Sequence, residues 1–225
     1  MVEILAHRGA SHADSENTLA AFRRAGAMGA DAVELDVRRT AEGSLVVHHN
    51  PHLVDGRLIR ETSRRQLPTS VATLGDALDA CEGMWVNVEI KNDPDEADFD
   101  ASEAIADAVV EHLVGRQEDS RWLISSFRRE TIDRCRLMAP TIPTAWLTVD
   151  VDAHTARRVM IGGHRAVHPW YGNVTEQFIA DCHGHGVQVN VWTCDEPEWM
   201  LRLVAWGVDG ICTNVPDVAL ATLGR

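Results

Sequence analysis

Two acidic side chains lie two residues apart within an apolar run near the N-terminus, at Glu34 and Asp36. On a β-strand such side chains point to the same side, with Cα atoms about 6.6 Å apart. Two carboxylates that face the same way repel each other unless positive charge lies between them, and hard divalent cations take carboxylate oxygens at about 2.0–2.6 Å. The pair therefore indicates a candidate cation site, with ion pairing of each acid to a neighbouring arginine as the alternative.

A third acidic residue lies in a similar run, where Asn87, Glu89 and Lys91 share one face of the predicted strand. Both faces of a buried parallel strand are normally apolar, so three polar groups on one face require polar partners. An ion pair between Lys91 and Glu89 would satisfy these two residues but would leave Glu34 and Asp36 unexplained. Glu89 is therefore a third candidate ligand.

Histidines occur at two places where predicted strands end. His7 and Arg8 follow the first apolar run, and His48 and His49 follow another. The ordinary pKa of histidine, about 6.5, suits proton transfer near neutral pH, and arginine offers a fixed fork for a phosphate or carboxylate. A structural role is the alternative for His7, but the nearby Arg8 and acids favour chemistry. Alternation along a strand lets only one of His48 and His49 reach the site.

Other candidate positions have a structural explanation as well as a functional one. Ser15 is expected to cap the first helix with Thr18 at its third position, although a helix start also offers amide groups to an anion. Capping of the last helix largely explains Thr213 and Asn214. Trp192 ends a predicted strand, and it could line an apolar pocket or pack in the core.

The elements that position these residues alternate along the chain. Apolar runs of strand length are separated by segments with helical spacing, such as Ile105, Val109 and Leu113. This alternation implies a parallel sheet with right-handed crossovers, and eight units of about 28 residues approach the length of a βαβ unit. We therefore predict a single-domain (β/α)8 TIM barrel of the α/β class over residues 1–225. The predicted strands are Val2–Ala6, Ala32–Val37, Trp85–Ile90, Trp122–Ser125, Thr144–Leu147, Ala166–His168, Val187–Trp192 and Val208–Cys212.

One further run, Leu45–His49, follows the second strand too closely for a crossover helix, which needs about a dozen residues. We expect it to return antiparallel through a turn at Ala41–Gly43 and to form a small β-hairpin at the C-terminal mouth of the barrel. Barrels of this kind carry their chemistry at that mouth.

Composition narrows the possible partners of this chain of 225 residues. Its formal charge of −13, from 21 basic and 34 acidic residues, disfavours nucleic acid and anionic membranes. Five dispersed cysteines without a Cys-x-x-Cys pair argue against a disulfide framework or a zinc ribbon. No signal-like N-terminus and no apolar stretch of about 18 residues occur, so we expect a cytoplasmic protein without stable membrane insertion.

Together these motifs resemble those of the glycerophosphodiester phosphodiesterase family, in the family's order and over nearly the whole chain. A lone Glu-x-Asp is a weak signal, whereas an ordered series of motifs is a strong one. Two features depart from the family pattern: its Asp after the second histidine is Asn50 here, and the segment between the hairpin and Leu74 is shorter than in many members. The matching motifs are His7-Arg8-Gly9, Glu16-Asn17-Thr18, Glu34-Leu35-Asp36, Val46-Val47-His48-His49-Asn50, Glu89-Ile90-Lys91, Trp192-Thr193 and Gly207-Val208-Asp209-Gly210-Ile211.

The resemblance implies metal-dependent hydrolysis of a small glycerophosphodiester to glycerol 3-phosphate and an alcohol. It implies that His7 and His49 form the acid–base pair, which selects His49 over His48. By the same resemblance, Glu34, Asp36 and Glu89 would bind a Ca²⁺ or Mg²⁺ ion. Arg8 would contact the phosphate, and Lys91 and Trp192 would line the substrate pocket.

Three other readings stay open. A lipid-cleaving relative, such as a lysophospholipase D or a phosphatidylinositol-specific phospholipase C, would use a similar barrel, with Trp170 and Tyr171 as possible membrane contacts. An aldolase-type barrel would use Lys91 as a Schiff-base amine, although Glu89 would tend to keep that amine protonated. A degenerate barrel would only bind a phosphorylated ligand, with Asn50 as a sign of decay.

Overall fold

The apolar runs form the strands of a closed barrel in the computed structural model, which describes residues 1–225. The strands are β1 (Glu3–His7), β2 (Ala32–Arg39), β3 (Leu45–Val47), β4 (Trp85–Ile90), β5 (Trp122–Ser126), β6 (Thr144–Thr148), β7 (Ala166–Pro169), β8 (Gln188–Val191) and β9 (Gly210–Thr213). Their order is β1-β9-β8-β7-β6-β5-β4-β2-β3, and parallel pairing of β1 with β2 closes the barrel. The predicted (β/α)8 TIM barrel is confirmed.

The helices follow the strands in the predicted alternation. They are α1 (Leu19–Met28), α2 (Leu74–Ala80), α3 (Ala104–Gly115), α4 (Arg129–Met138), α5 (Thr155–Gly162), α6 (Glu176–Gly184), α7 (Pro197–Ala205) and α8 (Pro216–Thr222). No helix is both long and apolar enough to cross a membrane. All five cysteines are free and buried, in agreement with their dispersed spacing.

Alternate residues of the barrel strands form the core beneath the helices. On β2, Val33, Leu35 and Val37 are completely buried in a cluster of 28 residues that includes Phe22 and Ala25 of α1. Burying a side chain such as Val or Leu contributes about 1.5–3 kcal/mol. Because successive side chains on a strand point to opposite faces, the two acids between these apolar residues face the barrel interior.

The predicted hairpin after β2 is present. β3 runs antiparallel to β2 with Val37 opposite Val47, and the connecting turn includes Gly43 at a φ of 90°. The strand ends at Val47, so the two histidines that follow it lie in a loop rather than on the strand. A separate cluster of five buried residues supports this loop and the segment after it, and it consists of Val46, Leu53, Ile59, Leu67 and Val71.

The expected cap of the first helix is wrong by three residues. Thr18, not Ser15, is the N-cap of α1, and its side chain accepts a hydrogen bond from the backbone N–H of Ala21. Asn17 has a φ of 56°, and this left-handed conformation cannot be part of a right-handed helix. The segment before Thr18 is instead a turn, in which the Thr18 hydroxyl donates to the carbonyl of Ser15.

A tight turn after β1 sets the position of the first histidine–arginine pair. Arg8 and Gly9 have φ values of 56° and 83°. A Cβ atom on Gly9 would lie 2.7 Å from the carbonyl carbon of Ala21 and 2.8 Å from its Cβ. Glycine at this position therefore allows α1 to pack directly against the end of β1.

We expect Gly9→Ala to destabilise the protein more than Gly43→Ala. Both sites have a left-handed φ, which costs a non-glycine residue about 1–2 kcal/mol. A Cβ on Gly43 meets nothing within 4 Å, whereas one on Gly9 overlaps α1, which adds about 1–3 kcal/mol. Urea unfolding of the two variants measures the difference, and equal losses would contradict the packing described for β1 and α1.

Candidate active site

A cavity of about 130 Å³ lies at the end of the barrel where the strands terminate. Its lining includes His7, Arg8, Glu34, His49, Glu89, Lys91 and Trp192. Asp36 is not part of this lining, but its Oδ2 atom lies 3.2 Å from the Nε of Arg8. The structure therefore brings all of the sequence-predicted site residues together at the C-terminal mouth.

Three carboxylates converge at this mouth. Glu34, Asp36 and Glu89 each have an oxygen atom within 4.8 Å of the others, and Asp36 and Glu89 are direct partners in the pairing of β2 with β4. All three are buried, with exposures of 4%, 1% and 8%. Burial, together with the negative charges of Asp36 and Glu89, holds the pKa of Glu34 well above its ordinary range.

Two basic side chains offset part of this negative charge. Lys91 Nζ lies 2.9 Å from Glu89 Oε1 and 3.7 Å from Asp36 Oδ1, and Arg8 contacts Asp36 from the other side. Burial alone would raise the pKa of Asp36, but the charges of Lys91 and Arg8 lower it. The ion pairs considered from the sequence are therefore present, yet three carboxylates face only two cations.

The remaining negative charge fits a divalent cation. Glu34 Oε2 accepts the backbone N–H of Arg8 at 3.0 Å, whereas Oε1 is buried without a hydrogen-bond partner. Oxygen ligands at about 2.0–2.6 Å from one ion lie at most about 4.0–5.2 Å apart, which agrees with the spacing of the three acids. A divalent ion would turn one excess negative charge into one excess positive charge, and the site would then attract a phosphodiester anion.

His7 is held by a residue that the sequence analysis assigned to helix capping. Its Nδ1 lies 2.7 Å from Asn214 Oδ1, and its Nε2 lies 3.9 Å from Glu34 Oε2. Asn214 in turn donates from its side-chain amide to Asp195 Oδ2 at 2.7 Å. The expected capping of the last helix by Thr213 and Asn214 is wrong, because the N-cap of α8 is Val215 and no side chain makes a capping bond there. No local pattern marks Asn214, because its partners lie on distant segments.

His49, and not His48, lines the cavity. Its Nδ1 lies 3.0 Å from the side-chain oxygen of Asn50, the position at which the family pattern has an acid. His48 faces a separate groove and bonds the backbone carbonyl of Asn50 through Nδ1 at 2.8 Å. An amide at position 50 therefore still orients the second imidazole, without adding negative charge.

A buried arginine on β2 anchors the loop that carries His49. Arg38 is completely buried, and its Nε donates to the carbonyl of His49 at 2.8 Å. Its Nη1 contacts both carboxylate oxygens of Asp98 at 2.7 Å, and its Nη2 contacts Glu96 at 2.9 Å. Arg38 was not identified from the sequence, because the predicted strand ended at Val37, although Arg38 continues the alternation of Glu34 and Asp36.

Asn17 holds one of the acids in place from the loop before α1. Its side-chain amide donates to Asp36 Oδ2 at 2.8 Å, and it is 4% exposed. The left-handed backbone of this residue turns the amide toward the barrel mouth. The Glu-Asn-Thr motif is thus a support for the acid cluster as well as the start of a helix.

Aromatic and neutral polar side chains complete the cavity. Phe127 and Trp192 pack edge to face with ring centroids 5.5 Å apart, and Lys91 lies over the Phe127 ring at 5.8 Å. Deeper in the barrel, Asn190 Nδ2 lies 3.0 Å from His168 Nε2. Burial lowers the pKa of His168 to about 3, so this imidazole is neutral. Phe127 and His168 were not identified from the sequence.

Comparison with known proteins decides the family. The model of the glycerophosphoryl diester phosphodiesterase family matches residues 7–218. This chain belongs to that family. A glycerophosphodiester phosphodiesterase of Caldanaerobacter subterraneus subsp. tengcongensis is 29% identical over 96% of each chain.

Solved structures agree with the family assignment. The glycerophosphodiester phosphodiesterase of Thermotoga maritima is 26% identical, with a TM-score of 0.82 over 100% of this chain and 99% of that one. An Oleispira antarctica phosphodiesterase, solved with its product sn-glycerol-3-phosphate, has a TM-score of 0.87 over 99% and 97% of the two chains. At 22% identity the second likeness is one of fold.

We expect Arg38→Met to lower the free energy of unfolding by about 3–5 kcal/mol, because it leaves Asp98 buried without its partner. Arg39→Met is the matched control. Arg39 pairs with Asp100 while 27% exposed, and a pair of that kind contributes about 1 kcal/mol or less. Chemical denaturation of both variants measures this, and an equally small loss in both would contradict the anchoring role of Arg38.

Proposed function

We propose that this protein hydrolyses glycerophosphodiesters to glycerol 3-phosphate and an alcohol. The observation that carries the proposal is the convergence of three buried carboxylates, two cations and two imidazoles at the C-terminal mouth of the barrel. Membership of the glycerophosphoryl diester phosphodiesterase family supports the same reaction. Each type of group has a separate part in it.

Arg8 and Lys91 are proposed to bind the phosphate. The guanidinium of Arg8 matches two phosphate oxygens at once, and Lys91 supplies a point charge. Besides its contact with Asp36 in the acid cluster, the Arg8 side chain pairs with Glu16 at 2.9 Å. The Glu16 side chain is 52% exposed. An incoming phosphate would therefore compete with a solvated carboxylate. Positive groups placed in advance favour the transition state, in which the phosphate oxygens gain negative charge.

Glu34, Asp36 and Glu89 are proposed to hold a divalent cation, with Ca²⁺ or Mg²⁺ favoured by the all-oxygen ligand set. When bound, such an ion supplies positive charge to the phosphate oxygens. Without it, the excess negative charge of the cluster would repel a phosphodiester. The three acids therefore make phosphate binding depend on the cation.

His7 and His49 are proposed to transfer the protons. One imidazole takes the proton of the attacking hydroxyl, and the other gives a proton to the leaving alkoxide. Burial lowers the pKa of both imidazoles, which favours the neutral form near neutral pH. Each Nδ1 is bonded to an asparagine oxygen, so the Nε2 atoms remain for catalysis. The imidazole that acts as the acid must therefore take up a second proton, at Nε2, before it protonates the leaving alkoxide.

Charge around Lys91 argues against a Schiff-base mechanism. Burial alone would lower the pKa of Lys91, but the charges of Glu89 and Asp36 raise it. The amine is therefore protonated and is not a nucleophile near neutral pH.

Activity on lysophospholipids is a second candidate function, because Trp170, directly after β7, is 39% exposed. An aromatic side chain at this position could contact a lipid surface. A substrate panel that includes lysophospholipids distinguishes the two substrate classes.

We expect the purified protein to release glycerol 3-phosphate from a glycerophosphodiester in the presence of Ca²⁺, Mg²⁺ or Mn²⁺, and chelation to abolish the release. His7→Ala and His49→Ala should each lower kcat about 10²–10⁴-fold, because each removes a proton-transfer group. His48→Ala is the matched control and should retain activity. A coupled assay of glycerol 3-phosphate measures all four proteins, and an inactive His48→Ala beside a fully active His49→Ala would overturn the assignment.

Metal binding is expected to raise the melting temperature of the wild-type protein. An ion at 100 times its Kd stabilises a folded state by about 2.7 kcal/mol. Glu34→Gln should remove most of this rise while leaving the metal-free protein at least as stable, because it removes a repelled carboxylate. Glu111→Gln, on the exposed face of α3, should respond to metal like the wild type. A wild-type protein that none of the three ions stabilises would exclude the proposed site.

A further inference from the structure

We propose that Asp195, acting through Asn214, fixes His7 in the tautomer that carries its proton on Nδ1. In this tautomer Nε2 carries no proton and can accept one from the substrate. Asp195 is thus a positioning residue for the imidazole. The consequence for catalysis rests on the proposed function, whereas the tautomer itself does not.

We use the word relay for the hydrogen bonds that run from Asp195 through Asn214 to His7. The donors and acceptors of this relay are determined at Asp195, which follows β8. A carboxylate only accepts hydrogen bonds. Asp195 Oδ2 accepts the side-chain amide of Asn214 at 2.7 Å, and Oδ1 accepts the backbone N–H of Asn214 at 2.8 Å. The hydroxyl of Thr213 also donates to Oδ1, at 2.8 Å. The NH₂ group of Asn214 must therefore face Asp195, which leaves its carbonyl oxygen directed at β1.

That oxygen determines the protonation of His7. Asn214 Oδ1 accepts the hydroxyl of Ser11 at 2.9 Å and lies 2.7 Å from His7 Nδ1. Without a hydrogen between them, the amide oxygen and the lone pair of Nδ1 would repel each other at this distance. Nδ1 therefore carries the hydrogen and donates it to Asn214 Oδ1. In a neutral imidazole Nε2 is then an acceptor.

The second imidazole lacks this control. Asn50 contacts His49 Nδ1 through its side-chain oxygen, and no carboxylate accepts from the Asn50 amide. The orientation of the Asn50 amide is therefore not fixed by charge. His49 serves as an internal reference in the experiment below, since its environment does not include Asp195.

Asp195→Asn should reverse the relay. The new amide can keep its oxygen on the Thr213 hydroxyl and the Asn214 backbone N–H, which places its NH₂ against the NH₂ of Asn214. Asn214 then turns its side-chain amide over and presents NH₂ to His7, and Nδ1 becomes the acceptor. We expect kcat to fall about 10²–10⁴-fold with little change in KM, because Nε2 now carries the proton.

A reciprocal exchange should restore the original tautomer. In the double variant D195N/N214D, the carboxylate at position 214 accepts from His7 Nδ1 and from Ser11, and the amide at position 195 donates to it. We expect this protein to regain most of the kcat lost by the single variant. Asp181→Asn, on the exposed face of α6, is the control for a change of charge alone and should match the wild type.

The direct readout is the pair of ¹⁵N chemical shifts of His7 in the full-length labelled protein, recorded at about pH 8, where imidazoles are neutral. Protonated Nδ1 is expected in the wild type and the double variant, and protonated Nε2 in Asp195→Asn, with His49 unchanged. An Asp195→Asn protein that keeps protonated Nδ1 would overturn the proposal, whatever its activity. If the tautomer changes as expected but the wild type hydrolyses no phosphodiester, the relay stands and the proposed function fails.

Discussion

The constraint on which the rest of the structure depends is the burial of three like charges at one point. Glu34, Asp36 and Glu89 lie within reach of one ion, and the neighbouring strands β2 and β4 present them there because the alternate residues of both strands are required for the core. Repulsion between carboxylates at this distance and burial is large unless cations are present. Arg8 and Lys91 supply two positive charges, and a divalent ion would supply the remainder.

The groups that orient the two imidazoles add no negative charge in direct contact with them. Both imidazoles are oriented by asparagine oxygens, at Asn214 and Asn50. A carboxylate would orient a histidine equally well, but its charge would oppose the binding of an anion. At His7 the carboxylate of Asp195 lies one residue further away, where it fixes the amide and is itself satisfied by three hydrogen bonds. The side chain that orients His7 is therefore neutral, and the charged group that fixes this side chain lies farther from the imidazole.

The sequence was sufficient for the features that repeat along the chain. Strand-length runs and their alternation with helices predicted the barrel, and the short distance from β2 predicted the hairpin. The acids and histidines could be located because parallel strands end at the same mouth. The boundary of α1 was missed because asparagine, although enriched in the left-handed conformation that Asn17 adopts, also occurs in helices, and because Ser15 is as good a cap as Thr18.

Contacts between distant segments could not be predicted in the same way. From the sequence, Asn214 was assigned to a helix start, and only the pairing of β9 with β1 brings it beside His7. Arg38 lies just past the end of the predicted strand, and its burial depends on Asp98 and on the His49 loop, which cover it. These residues depend on which strands become neighbours and on how long loops fold over them, and a single sequence contains no periodic pattern that reports either.

The most direct test of the central claim is the anomalous diffraction of a crystal grown with Mn²⁺, an ion that carboxylate ligands accept. The account predicts one strong peak at the barrel mouth, about 2.0–2.6 Å from an oxygen of each of Glu34, Asp36 and Glu89. A crystal of active protein that shows no peak there at saturating Mn²⁺, or an ion bound only at another position, would contradict it.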